Sequence, residues 1–301
     1  MLDFRIETFL AACRHMNFTA AAEELHITQP AVSQHIRFLE KKYGAELFVR
    51  DGKRLELTRA GEILKRTMIT MENDQRAMEK RMRESGNAVR TLTMGVTMTI
   101  GEYAVTGPLA RYLNLHPDVN VCLRFSNTDR LLEAIRVGEM DLALSEGYIR
   151  SEEFDTELFR RERYIPVCAA GHALPAGKQK LKDLLGERLI LREKGSGSRK
   201  ILERNLAARN LKISDFIHYA EVENIHTMVS LLVRDCGIAF LYEAAVEQEI
   251  RQGLLKEIRL EDFSMDHEFL FLWNKGSVFS SELKKLCEEW IQLDKDASGG
   301  R

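Results

Sequence analysis

Between Asn17 and Arg37 the chain reads NFTAAAEELHITQPAVSQHIR, and the reading of this stretch decides the N-terminal fold. Thr19 is placed to cap a helix over Ala20–Leu25, its hydroxyl accepting from an amide of the first turn that has no partner inside the helix. His26 and Ile27 make a tight turn, after which Thr28 is placed to cap a longer helix from Gln29 to about Tyr43. Pro30 is tolerated in that first turn, and Gly44 stands where a helix stop favours left-handed backbone. Lys41 and Lys42 fall in the last turn, where cations suit the negative end of the helix dipole. Upstream, Leu2, Ile6, Phe9, Leu10 and Cys13 recur at helical spacing and form one face of a first helix. Downstream, LFVRDGKRLELT (47–58) is two strand-like runs around Asp51-Gly52, a strong signal for a two-residue hairpin turn.

A helix, a tight turn and a second helix with a polar start describe a helix-turn-helix. Val32, Ile36 and Leu39 share the inner face of the later helix, which leaves Thr28, Gln29, Pro30, Ser33, Gln34 and Arg37 at its start and on its other faces. Glutamine can bond adenine bidentately at its major-groove edge, serine can bond a base or a phosphate, and the start of a recognition helix is the part that reaches base edges. Arg50, Lys53 and Arg54 surround the hairpin turn and are suited to gripping phosphate, which sets affinity and register rather than sequence. The alternative is a packed three-helix domain with a solvated basic turn. The order of cap, turn, polar helix start and basic hairpin weighs against it.

Composition is consistent with this placement. The chain has 301 residues, 45 % hydrophobic and 30 % charged, with a net charge of −2. That length accommodates roughly two domains, and the balance excludes a disordered polyelectrolyte. Residues 1–90 carry 16 Lys/Arg against 13 Asp/Glu, a net +3, so −5 falls on residues 91–301. Nucleic-acid contact is therefore expected at the N-terminal end. The apolar runs are too short to span a bilayer, and Asp3, Glu7 and Arg14 interrupt any signal peptide, so no membrane partner and a cytoplasmic location are expected. Cys13, Cys122, Cys168, Cys236 and Cys287 are odd in number and form no C-x-x-C, which points to buried thiols rather than disulfides or zinc.

From Thr58 to about Ser85 there is no proline, and Leu64, Met68, Met71, Gln75, Met78 and Met82 advance by 4, 3, 4, 3 and 4 residues. This is a heptad seam on a long charged helix, and pairing with its copy in a second chain is the economical way to bury it. Packing of that face on the chain's own domains is the alternative. Ser85-Gly86-Asn87 supplies a breaker. The expected domains are 1–58 for the reader, 59–88 for the linker and dimerisation helix, and 89–301 for a regulatory domain.

Residues 90–301 alternate strand-like and helix-like runs. Strands are expected at Leu92–Thr97, Val119–Phe125, Leu142–Ser145, Ile165–Ala169, Arg188–Leu191, Phe216–Ala220, Gly237–Leu241 and Phe269–Trp273. Helices are expected at Tyr103–Asn114, Thr128–Val137, Ser198–Asn210, Ile225–Arg234 and Glu243–Ile250. Such alternation predicts parallel sheets covered on both faces, here in two α/β lobes.

The segment from Phe9 to Glu62 resembles the winged helix-turn-helix of the LysR-type transcriptional regulators. The likeness is carried by Phe18-Thr19-Ala20-Ala21-Ala22, Gln29-Pro30-Ala31-Val32-Ser33, Leu47-Phe48, Arg50, Leu57-Thr58 and Ala60-Gly61, and is nearly continuous over residues 4–62. It implies an α/β fold with an N-terminal winged helix-turn-helix, a long linker helix and a two-lobed effector domain resembling periplasmic binding proteins. It implies that Gln29, Pro30 and Ser33 face the major groove, with Gln34, Arg50 and Lys53 near base edges or backbone. The implied partners are an operator in double-stranded DNA, the transcription machinery and other copies of the chain, as a homotetramer built from dimers; the seam itself supports a dimer.

A small-molecule effector is expected beyond the carboxyl ends of the strands, near helix N-termini. The candidates are Thr97, Met98, Thr99 and Ile100 after the first strand, Ser126 after the second, and Ser145, followed by Glu146, at the end of the third. In the other lobe Gly195-Ser196-Gly197-Ser198-Arg199 resembles the family's Gly-Ser-Gly-(Ser/Thr)-Arg loop, contributing Ser196, Ser198 and Arg199, and Asn224 begins a later helix. The ordinary alternatives are helix caps for the hydroxyls and an ion pair for Arg199. An organic or inorganic anion is the favoured effector, with no cofactor and no metal. The eight histidines show no H-E-x-x-H spacing, and there is no G-x-S-x-G, so an enzyme is not expected. Besides an enzyme on binding-protein-like lobes, the remaining alternative is an architectural DNA binder without a ligand.

Overall fold

A computed structural model describes residues 3–52, 54–84, 90–149, 151–174 and 179–298. Two compact units emerge: residues 1–86 with the short stretches 136–138 and 275–278, and the remainder. The first unit contains α1 (Phe4–His15), α2 (Phe18–Glu24), α3 (Gln29–Tyr43), β1 (Phe48–Asp51), β2 (Arg54–Leu57) and α4 (Arg59–Glu84). Asn17, not Thr19, caps α2, its side-chain oxygen accepting from the amides of Thr19 (2.8 Å) and Ala20 (3.3 Å). Asparagine is as good a cap as threonine, and the helix simply starts two residues earlier. Thr28 caps α3 through the Ala31 amide at 3.3 Å, and Gly44 ends it at φ 67°.

In the hairpin Asp51 pairs with Arg54, so Asp51 is the last strand residue rather than the first of the turn, and Gly52 takes the left-handed φ of 59°. The core of this unit is Ile6, Phe9, Leu10, Cys13, Ala21, Ala22, Val32, Ile36, Leu39, Leu47 and Phe48. Leu2 lies outside the described residues. Gly61 is required by close approach: a β-carbon there would stand 2.2 Å from the Leu47 carbonyl oxygen. Leu64 and Met68 of α4 close this same core, whereas Met71, Met78 and Met82 are 51, 45 and 66 % exposed. The expected seam is thus divided, its first turns being used inside the chain and its later methionines exposed.

The second unit contains β3 (Arg90–Val96), α5 (Met98–Tyr103), α6 (Thr106–Leu115), β4 (Val119–Phe125), α7 (Thr128–Arg136), β5 (Ala143–Glu146) and β6 (Phe154–Ala169). It continues with β7 (Arg188–Leu191), α8 (Gly197–Ala207), β8 (His218–Glu221), α9 (Ile225–Val233), β9 (Ile238–Tyr242), α10 (Glu247–Arg251), β10 (Leu255–Glu257), β11 (Asp266–Asn274) and α11 (Ser280–Ser298). Among the described residues nine strands run in the order β4-β3-β5-β11-β6-β9-β7-β8, with β10 beside β6. Within the lobes β3 is parallel to β4 and β5, and β7 to β8 and β9. The sheets are nevertheless mixed, not purely parallel as expected, because β6 and β11 enter antiparallel. Strand β6 spans both lobes: Phe154–Arg163 pairs with β11, and Tyr164–Cys168 with β9.

Helix α11, not anticipated from the sequence, buries Leu283, Cys287, Trp290 and Leu293 at helical spacing. The expected helix over Tyr103–Asn114 is instead two, broken around Ala104–Val105, and Glu243–Ile250 is a 3-10 turn followed by α10. Cys13, Cys168 and Cys287 are buried free thiols, but Cys122 is exposed and Cys236 half-buried. No described helix is long and apolar enough to cross a membrane.

Candidate functional site

Two polar surfaces stand out, one in each unit. In the first, the inner face of α3 is taken up by Val32, Ile36 and Leu39. Its other faces carry Pro30, Gln34 and Arg37, all exposed, and Gln29 and Ser33, half-buried and joined by a 2.9 Å bond from Gln29 Nε2 to Ser33 Oγ. Thr28 is exposed at the helix start, and Arg50 and Arg54 are exposed on the hairpin strands. Lys53 lies outside the described residues. The arrangement is a rigid helix with amide and hydroxyl groups at its amino end and guanidinium groups on an adjacent hairpin, the combination that reads base edges and grips phosphate.

The second surface lies where the carboxyl ends of the strands of the two lobes meet. Thr97, Thr99 and Ser145 of the first lobe are buried, as are Ser196, Ser198 and Arg199 of the second. Met98 is half-buried and, with Tyr103, packs on the apolar core of the second lobe. Ile100 belongs to the large apolar core and presents no polar group. The lobes approach closely here. A β-carbon on Gly147 would stand 3.0 Å from the Gly197 Cα, and one on Gly197 would stand 2.4 Å from the Glu146 carbonyl oxygen. The Asp129 amide donates to the Gly195 carbonyl at 3.2 Å, and Lys200 pairs with Asp129.

The centre of this meeting point is Glu146, 1 % exposed, whose carboxylate accepts the Thr97 hydroxyl. Thr128 Oγ1 donates to the Glu146 carbonyl at 3.0 Å, and Ser145 Oγ donates to Thr128 Oγ1 at 3.1 Å. Burial pushes the Glu146 carboxyl up, against the Thr97 hydroxyl and the Arg192 guanidinium, which pull it down. From the second lobe, Ser196 and Ser198 hydroxyls lie 2.9 Å apart at the start of α8, and the Tyr164 hydroxyl donates to the Ser198 carbonyl at 3.1 Å.

Two of the candidates have other work. Arg199 donates to Glu203 (2.8 Å), Glu221 (2.5 Å) and the Arg192 carbonyl (2.9 Å), so its charge is held within its own lobe. Asn224 is exposed and caps α9 through the Thr227 amide at 2.9 Å. Ser126 is half-buried, and its amide extends the β3 ladder to the Val96 carbonyl at 3.1 Å. Conversely, Arg192, Glu193, Tyr164 and Tyr242 were not singled out in the sequence, although Arg192-Glu193 follow β7 directly at its carboxyl end. Among the described residues no group of His, Cys, Asp or Glu is arranged to hold a metal ion.

Comparison with known proteins gives a family match for each of the two parts of the chain. Residues 5–62 match the bacterial regulatory helix-turn-helix protein, lysR family, and residues 85–292 the LysR substrate binding domain. The chain is 27 % identical to the HTH-type transcriptional regulator CysL of Bacillus subtilis, over 89 % of each protein. Its fold is similar to that of an H2O2-bound cysteine-to-serine mutant of Corynebacterium glutamicum OxyR, with TM-score 0.60 and 21 % identity over 98 % of this chain and 92 % of that one. The regulatory domain of Synechocystis CcmR in complex with 2-PG superposes with TM-score 0.61 and 17 % identity, over 68 % of this chain and 98 % of that one. The families matched are regulators rather than enzymes. With a family helix-turn-helix at one end and the family's substrate binding domain over most of the rest, the chain belongs to the LysR family of transcriptional regulators.

Proposed function

We propose that this regulator reads a specific operator through Gln29, Pro30, Ser33 and Gln34, with Thr28, Arg37, Arg50, Lys53 and Arg54 on or near the phosphates. It acts in the cytoplasm, where its DNA partner is, and works with the transcription machinery. The observation that carries this reading is the start of α3: its apolar face is buried while the amide, hydroxyl and guanidinium groups face outward beside two exposed arginines. Binding of Gln29→Ala to the operator should weaken about 5- to 150-fold, the equivalent of about 1–3 kcal/mol for one bidentate base contact, with little change on scrambled DNA. Equal losses on both would mean that Gln29 reads no base.

Self-association is assigned to α4, whose Met71 and Met78 are exposed, as a homodimer and then a homotetramer. Met71→Glu should then give monomers in sedimentation, and an unchanged oligomer would place the interface elsewhere. In the second unit the effector is a small metabolite bearing an anionic group, held where the lobes meet by Thr97, Met98, Thr99, Ser126, Ser145, Ser196 and Ser198. The CcmR regulatory domain in complex with 2-PG supports a small-molecule ligand for a domain of this shape. The effector acts by binding one arrangement of the lobes better than another.

A further inference from the structure

The buried groups at the meeting of the lobes do not satisfy one another. Arg192, 4 % exposed, donates Nε and Nη2 to Glu193 at 2.8 and 3.0 Å, while its enclosed Nη1 has no hydrogen-bond partner. The Tyr242 hydroxyl is likewise enclosed and without a partner, its ring packed edge-on against Tyr164 at 5.1 Å and Phe269 at 4.8 Å. An enclosed donor without an acceptor is a standing cost, and each of these two calls for an incoming oxygen. Glu146 presents the opposite need, because among the described residues its carboxylate makes no ion pair and has only the Thr97 hydroxyl and its own backbone for company.

These three groups stand at the carboxyl ends of β5, β7 and β9. The Glu146 charge reaches the Arg192 guanidinium and raises both Tyr164 and Tyr242 beyond what burial does. A ligand with only negative charge would find Arg192 already neutralised by Glu193, Arg199 committed elsewhere, and the Glu146 carboxylate repelling it. A ligand with only positive charge would leave Arg192 Nη1 and the Tyr242 hydroxyl unmet. Resting on the reading of this place as the effector site, we infer that the effector is a small zwitterion of the α-amino-acid class. Its carboxylate takes the Arg192 Nη1 and Tyr242 hydroxyl hydrogens, and its ammonium group sits against the Glu146 carboxylate.

The test is calorimetry on the full-length protein with the standard L-amino acids and, for each that binds, its 2-oxo acid and its decarboxylated amine. The expected result is an amino acid that binds at least about tenfold more tightly than either analogue, as loss of one charge-assisted buried bond requires. Glu146→Gln should weaken the amino acid by a similar factor and close its gap to the 2-oxo acid. Tyr242→Phe, which removes one oxygen and keeps the packing, should weaken the amino acid and the 2-oxo acid alike. A 2-oxo acid that binds as well as its amino acid, or a folded Glu146→Gln that keeps the discrimination, overturns the inference and leaves the effector site standing. A protein that takes up none of the amino acids likewise overturns the inference.

Discussion

The start of α3 and the meeting of the lobes are both polar, but they hold their polar groups in opposite states. On α3 the side chains come from one continuous stretch, with Pro30, Gln34 and Arg37 exposed and Gln29 bonded to Ser33. Between the lobes the groups come from the ends of separate strands and are buried; Asp129 bonds across the gap to Gly195 and Lys200, while Arg192 Nη1 and the Tyr242 hydroxyl have no partner. The difference teaches how each site is addressed. The first is built on its own helix, whereas the second is assembled from both lobes and depends on their close approach.

That contrast can be broken most directly at Gly197. A β-carbon there would stand 2.4 Å from the Glu146 carbonyl oxygen and 2.6 Å from Thr128 Oγ1, although the glycine itself sits in ordinary helical backbone at the start of α8. Gly197→Ala should therefore oppose this close approach by about 1–3 kcal/mol, weakening effector binding about 5- to 150-fold while operator binding without effector is kept. An unaltered effector response would show that the close approach is no part of the bound state. The smaller effect sharpens the other side. Arg54→Ala should weaken binding to every DNA sequence alike and reduce the slope of log affinity against log salt by about 1, and an unchanged slope removes Arg54 from the phosphate contacts.

Legibility followed the same division. The helix-turn-helix could be read because its signals are local: caps, a turn, an αL glycine and a periodic apolar face lie within a few residues of what they specify. Where the reading slipped, as with Asn17 for Thr19 or Asp51 in the hairpin, two neighbouring residues were chemically able to do the same job. In the second unit the strand ends were legible as places, so Thr97, Ser145, Ser196 and Ser198 could be named. Their partners could not. Arg199 and Asn224 look like ligand residues until Glu203, Glu221 and the Thr227 amide are seen to occupy them. The first half of β6 carries charges along its length, and α11 mixes charge with a narrow apolar stripe, so neither stood out against the noise of surface segments.

From its sequence alone this protein is determined as a helix-turn-helix reader, a long helix with an apolar seam, and an α/β sensor with hydroxyls at its strand ends, because each of those is written in residues close along the chain. Only the tertiary structure decides that Leu64 and Met68 of the seam enter a core while Met71 and Met78 stay exposed, and that Glu146, Arg192 and Tyr242 are all buried. Those outcomes depend on what packs against each side chain from elsewhere in the chain, and burial, not residue type, sets whether a carboxylate or a guanidinium is an ordinary surface charge or a group that must be paired.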